Sequence, residues 1–160
     1  MEERWNDLLR NQINAMGDHC FALQARKTAN LLARVYNAAL EPLGLEISQF
    51  STLSAVALER SDSITELAGA LGVERSTLTR NLKILERDGL IIQSERQGRR
   101  SMYRLTPKGR RKLSKALPIW NEVQARFSTA LSNSSAPELD PRLSLRLLRR
   151  AARTVGSGVG

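Results

Sequence analysis

The chain has one cysteine, Cys20, and one histidine, His19. A single thiol excludes an internal disulfide and a cysteine-rich zinc site. A single imidazole, with no clustered carboxylates, leaves a metal centre or a catalytic triad without its parts, so no enzyme activity, metal or cofactor is expected. Aromatic residues make up only 4% of the 160 residues, against 41% hydrophobic residues in all. A core is therefore within reach, but Leu, Ala, Ile and Val must build it, which favours helices over a β-sandwich. No apolar run approaches the length that spans a bilayer. Residues 1–10 contain acids and no apolar signal-peptide segment. A soluble, cytoplasmic chain without a membrane partner is the expectation.

What the chain does have is positive charge, unevenly placed. The formal net charge is +9. Residues 1–59 are net −2, residues 60–112 net +7 and residues 113–160 net +4. A basic stretch concentrated inside an ordered region points to a polyanionic partner.

Apolar spacing divides the chain. Residues 1–18 are polar and mixed, a short amphipathic helix or an arm. Phe21, Ala25, Ala29, Leu32, Tyr36 and Leu40 then recur at helical spacing, one long helix that Pro42 and Gly44 end. Ser48 is the expected cap of the next helix, with Phe50, Leu53, Ala57 and Leu58 inward. Ser63 and Glu66 form a capping-box pattern for a short helix, Ile64 to Leu71, which Gly72 stops. A third helix runs from Arg75 to Asp88, with Leu78, Leu82 and Leu85 inward. Two strands, Leu90 to Glu95 and Ser101 to Leu105, flank a basic turn at Arg96–Arg100. Thr106-Pro107 starts another helix, to about Leu131, which Pro118 should kink. A last helix is expected from Pro141 to about Arg153, then a Gly-rich tail.

A short helix, a turn with a glycine, another helix and then a basic hairpin is the order of a helix-turn-helix with a wing. Small residues at Ala68 and Gly72 are expected to let the two helices cross closely. The outward residues of the second helix are Arg75, Ser76, Thr77, Thr79, Arg80 and Lys83, donors and short polar groups suited to a major groove. Residues 96–112 hold eight basic residues and no acidic one. Arg96, Arg99 and Arg100 lie where a hairpin tip can reach the adjacent minor groove.

The run Ser63 to Ala68, Gly72-Val73-Glu74-Arg75-Ser76-Thr77-Leu78-Thr79-Arg80, Leu82 to Ile91 and Leu105-Thr106-Pro107-Lys108-Gly109 resembles the MarR family of transcriptional regulators over about residues 45–112. The resemblance implies a mostly α fold with a small β-hairpin wing: a winged helix-turn-helix at 45–106, with dimerisation helices at 1–44 and 107–153 and a flexible tail at 154–160. It further implies a homodimer on a double-stranded, pseudo-palindromic DNA operator, most simply a repressor. The apolar surface of the flanking helices points independently to two-fold pairing. The family often carries an Asp two residues before the wing arginine; here it is Gly98, so a freer wing is expected.

Members of this family release DNA on binding a small aromatic anion or on cysteine oxidation. His19, Arg26, Arg34 and Tyr36 are candidate residues for such an effector, although each also has an ordinary surface or packing role, and core packing is the expected role of Trp120. Cys20-Phe21-Ala22-Leu23 resembles the peroxide-sensing cysteine of the organic hydroperoxide resistance branch, with Tyr36 as a candidate partner; the second tyrosine expected in that branch is Ile47 here. A packed, inert thiol is the other reading of Cys20. A protein-interaction module that kept the fold and lost operator recognition is the alternative to a DNA-binding regulator.

Overall fold

In the computed structural model, residues 2–59, 63–94, 103–132 and 145 are described. Helices α1 (Glu2–His19) and α2 (Phe21–Leu40) are separated only by Cys20, and a 3-10 turn at Glu41–Leu43 follows. Then come α3 (Ile47–Ala57), α4 (Ile64–Leu71) and α5 (Arg75–Arg87), the strands β1 (Ile91–Gln93) and β2 (Tyr103–Leu105), and α6 (Pro107–Ser132). This is the expected mostly α fold with a small antiparallel hairpin. The basic turn at 96–100, the tail and the helix expected at 141–153 fall outside the described residues, except for Leu145, which is helical and exposed.

Residues 1–120 and 121–160 form two compact units. The core of the first gathers Leu40, Leu45, Phe50, Leu53, Val56, Leu67, Ala68, Leu78, Leu82, Leu85, Leu90, Ile91 and Ala116. Full burial of a leucine or isoleucine contributes about 1.5–3 kcal/mol, so this cluster is the main source of stability. Trp120 belongs to its edge, its ring stacked on Phe50 with centroids 6.3 Å apart.

Local chemistry explains most boundaries. Ser63 caps α4 by accepting from the Glu66 N–H, and Gly72 ends it in the left-handed region at φ +66°. At α3 the expected cap is displaced by two residues. Glu46, not Ser48, caps it, accepting from the Gln49 backbone while the Gln49 side chain accepts from the Glu46 N–H. The Asn37 side chain accepts from the Ile47 N–H at 2.7 Å and ties this start to α2. Ala57 and Leu58, expected inside, are exposed, because α3 ends at Ala57 and the chain turns through Glu59 at φ +49°. Val56 and Thr52 take the inward positions.

One glycine behaves differently from expectation. A Cβ on Gly72 would meet nothing within 4 Å, so this glycine serves the turn and not a close helix crossing. The close approach is at Gly109, where a Cβ would lie 2.0 Å from the Leu90 carbonyl oxygen. Thr106 completes that joint. Its hydroxyl donates to the Gly89 carbonyl at 2.7 Å and accepts from the Gly109 N–H at 2.9 Å. The end of α5, the first strand and the start of α6 are thereby locked together.

Candidate nucleic-acid interface

α4, the Gly72–Glu74 turn and α5 form the helix-turn-helix. The Val73 N–H donates to the Ala68 carbonyl at 3.0 Å, which closes the end of α4 and directs the chain into α5. On α5 the apolar stripe Leu78, Leu82 and Leu85 is sealed, with at most 1% of each exposed. The opposite face therefore has to point outward. Arg75, Ser76, Thr79, Arg80, Lys83, Ile84 and Arg87 line one open, shallow concavity of about 810 Å³. Five of the six residues expected from the sequence are thus together on one surface. Thr77 is exposed but lies off that concavity, one turn before Asn81.

Ile84 and Arg87 were not anticipated. They extend the outward row by i, i+4 steps from Arg80 and Lys83, a spacing legible in the sequence once the row is continued past the helix midpoint. Arg87 also pairs with its neighbour Asp88 at 3.0 Å, an exposed contact. The Thr79 hydroxyl donates to the Arg75 carbonyl at 2.8 Å, so toward a ligand it presents an acceptor. Glu74 stands at the start of α5 without a side-chain cap bond to the helix.

The hairpin pairs Ile91 with Leu105, Ile92 with Arg104 and Gln93 with Tyr103. Alternation places Ile91 in the core and turns Ile92 and Arg104 to the outside. Arg96, Arg99 and Arg100 lie outside the described residues. The rest of the basic stretch is less free than its charge suggests. The Lys108 ammonium donates to the Asp88 carbonyl at 2.8 Å and the Arg110 guanidinium to the Leu105 carbonyl at 3.2 Å. The Lys112 ammonium donates to the Leu43 carbonyl. These cations fasten chain ends within the fold.

The sensing candidates do not converge. His19 closes α1, and Arg26 and Arg34 are exposed on α2. Tyr36 is partly buried, and burial pushes its hydroxyl above the ordinary tyrosine range. Cys20 is half-buried between α1 and α2, its N–H donating to the Met16 carbonyl at 3.0 Å. From Cys20 to Tyr36 an unbroken helix extends about 24 Å at its usual rise, so within one protomer the two side chains cannot meet.

Comparison with known proteins agrees with this architecture. A family model described as MarR family matches residues 43–101. The crystal structure of the Mycobacterium tuberculosis transcriptional regulator MosR is 38% identical, covering 86% of this chain and 98% of that one with a TM-score of 0.74. The chain belongs to the MarR family. A structure of MosR in complex with DNA is 40% identical over 85% of this chain and 99% of that one, with a TM-score of 0.69. A Bacillus subtilis protein, the uncharacterized HTH-type transcriptional regulator YwoH, is 35% identical over 77 residues. That match takes in 48% of this chain and 56% of YwoH. A further M. tuberculosis MarR family protein, solved with salicylic acid, is 26% identical, with 82% of this chain and 95% of that one covered and a TM-score of 0.56. MarR proteins are DNA-binding transcriptional regulators and not enzymes, and this chain is one of them. Among the described residues no helix is long and apolar enough to cross a membrane.

Proposed function

We propose that this MarR-family regulator is a homodimeric, ligand-responsive repressor that holds a pseudo-palindromic operator with one α5 in each half-site. The observation that carries the reading is the division of α5. Three leucines anchor one face, while Arg75, Arg80, Lys83 and Arg87 share the other with Ser76 and Thr79. Arginine can address guanine edges, Ser and Thr can meet phosphates or bases, and the uncapped first turn of α5 offers N–H groups to a phosphate. In this reading Arg96, Arg99 and Arg100 of the wing enter the neighbouring minor groove. Residues 1–44 and 107–153 form the pairing surface. The solved MosR–DNA complex supports the operator role, and the salicylic acid complex of the more distant family member supports a small aromatic anion as effector.

The test is a duplex selected by the protein from random sequence. Arg80→Ala should weaken binding to it by about 2 kcal/mol, the scale of one base-reading contact, with much less effect on a scrambled duplex. Arg100→Ala should lower affinity for both duplexes alike. Failure to select any sequence would favour the interaction-module reading, and unchanged binding by both variants would remove the site assignment. Salicylate should release the selected duplex. Cys20→Ser separates that trigger from a thiol one, since release by peroxide that disappears in the variant assigns the signal to the cysteine.

A further inference from the structure

Asn81 is the one polar side chain on the buried stripe of α5, with 8% of its surface exposed. Its amide nitrogen donates to the Thr52 hydroxyl of α3 at 3.5 Å. Thr52 is itself 1% exposed, and its hydroxyl donates to the Ser48 carbonyl at 2.8 Å. With its proton committed to α3, that oxygen can only accept, which fixes the Asn81 amide with its NH₂ toward Thr52. The contact is long, so it supplies direction more than strength.

The other directional contacts described around α5 lie at its two ends, where the Val73 N–H donates to the Ala68 carbonyl and where Lys108 and Thr106 donate to the Asp88 and Gly89 carbonyls, so Asn81 supplies direction at its middle. Leu78, Leu82 and Leu85 turn one face of α5 inward and so set its rotation coarsely, but apolar contact is non-directional and adds no hydrogen-bond register to that angle. That angle matters outside. A side-chain tip roughly 6 Å from a helix axis moves about 1 Å for each 10° of rotation. A shift of that size is enough to misalign a two-point hydrogen bond to a base.

We propose that Asn81, held by Thr52, is a positioning residue that sets the rotation of α5 and so the sequence discrimination of Arg80 and Lys83. The inference rests on the proposed role of α5 as the DNA-reading helix. It assigns sequence discrimination to a pair that touches no DNA.

The experiment compares Asn81→Leu, Thr52→Val and Thr52→Ser by fluorescence anisotropy. The probes are a duplex selected by the parent protein and a scrambled duplex of equal length, at one salt concentration. Asn81→Leu and Thr52→Val should each lower the ratio of selected to scrambled affinity by on the order of tenfold, the scale of one mismatched base pair. Binding to the scrambled duplex and its salt dependence, which report phosphate contacts, should stay at parent values. Thr52→Ser keeps the hydroxyl and should restore the ratio. The double variant Asn81→Leu/Thr52→Val should match either single one. The proposal is overturned if the ratio holds in both single variants while Arg80→Ala still lowers it. It is equally overturned if the variants lose both duplexes in step with thermal stability, which marks a purely structural pair. If Arg80→Ala also leaves the ratio unchanged, it is the reading of α5 itself that has failed.

Discussion

α5 and the α1–α2 pair draw on the same few apolar residue types and treat them in opposite ways. On α5 the leucines at 78, 82 and 85 are sealed by residues of the same chain. On α1 and α2, Leu8, Ile13, Met16, Phe21, Leu31 and Val35 remain exposed within the protomer, Phe21 to 79%. The leucine stripe of α5 is thus covered within the chain, whereas α1 and α2 carry exposed apolar surface of the kind that a second surface covers. Under the proposed function that surface is the arm of a second copy, so stability in one region and assembly in the other respond to different substitutions.

The sharpest way to break the contrast is to remove one side chain from each region. Leu82→Ala should cost about 3 kcal/mol in urea denaturation, from lost transfer energy and the cavity left behind. Leu31→Asp should cost assembly instead. A loss of about 2 kcal/mol of association energy is expected for a central apolar contact, read as a shift toward monomer mass by sedimentation with helix content kept. If Leu31→Asp unfolds the chain as Leu82→Ala does, without a change in mass, the two regions do not differ in the way described. Ser63→Ala sharpens the contrast from the helix-turn-helix side. It removes the α4 cap and should lower stability by about 1 kcal/mol, leaving the mass unchanged.

The smallest effect belongs to Tyr36 on α2. Its folded-state value is raised above the ordinary 10.0 by burial. The folded chain therefore prefers the neutral phenol. The stability linked to this group is intact below pH 10 and falls as the pH climbs through the raised value. Tyr36→Phe should flatten that alkaline limb in a pH series of thermal melts.

The parts of this fold that were legible from the sequence are those that local chemistry decides. Ser63 and Glu66, Gly72, and the Thr106-Pro107 start of α6 are each settled within a few residues, and the structure has them as expected. The misreadings involve partners further away. Ser48 was the natural cap by type, yet a carboxylate two residues earlier gained a reciprocal partner in Gln49 and a neighbour held by Asn37. The helical period suggested Ala57 and Leu58 as core, but a period cannot announce where a helix stops. Of the interface, the outward row of α5 was readable from spacing, although Ile84 and Arg87 needed the row extended. Asn81 carries no local signal in the sequence, because its meaning depends on a threonine 29 positions earlier. Lysines 108 and 112 looked like part of a basic patch, because charge counts do not reveal which cations have backbone carbonyls to bind.

The 2.0 Å clearance between a would-be Cβ at Gly109 and the Leu90 carbonyl has a consequence for anyone recombining such regulators. The wing cannot be transplanted as a hairpin cut at its two strand ends, because its base is seated against the first turn of the next helix with no room for a side chain. A chimera that exchanges α5 and the wing between two such proteins should place its downstream splice beyond residue 109, carrying the threonine and the glycine along with them. Cutting earlier would join two halves whose backbones have never been fitted to one another.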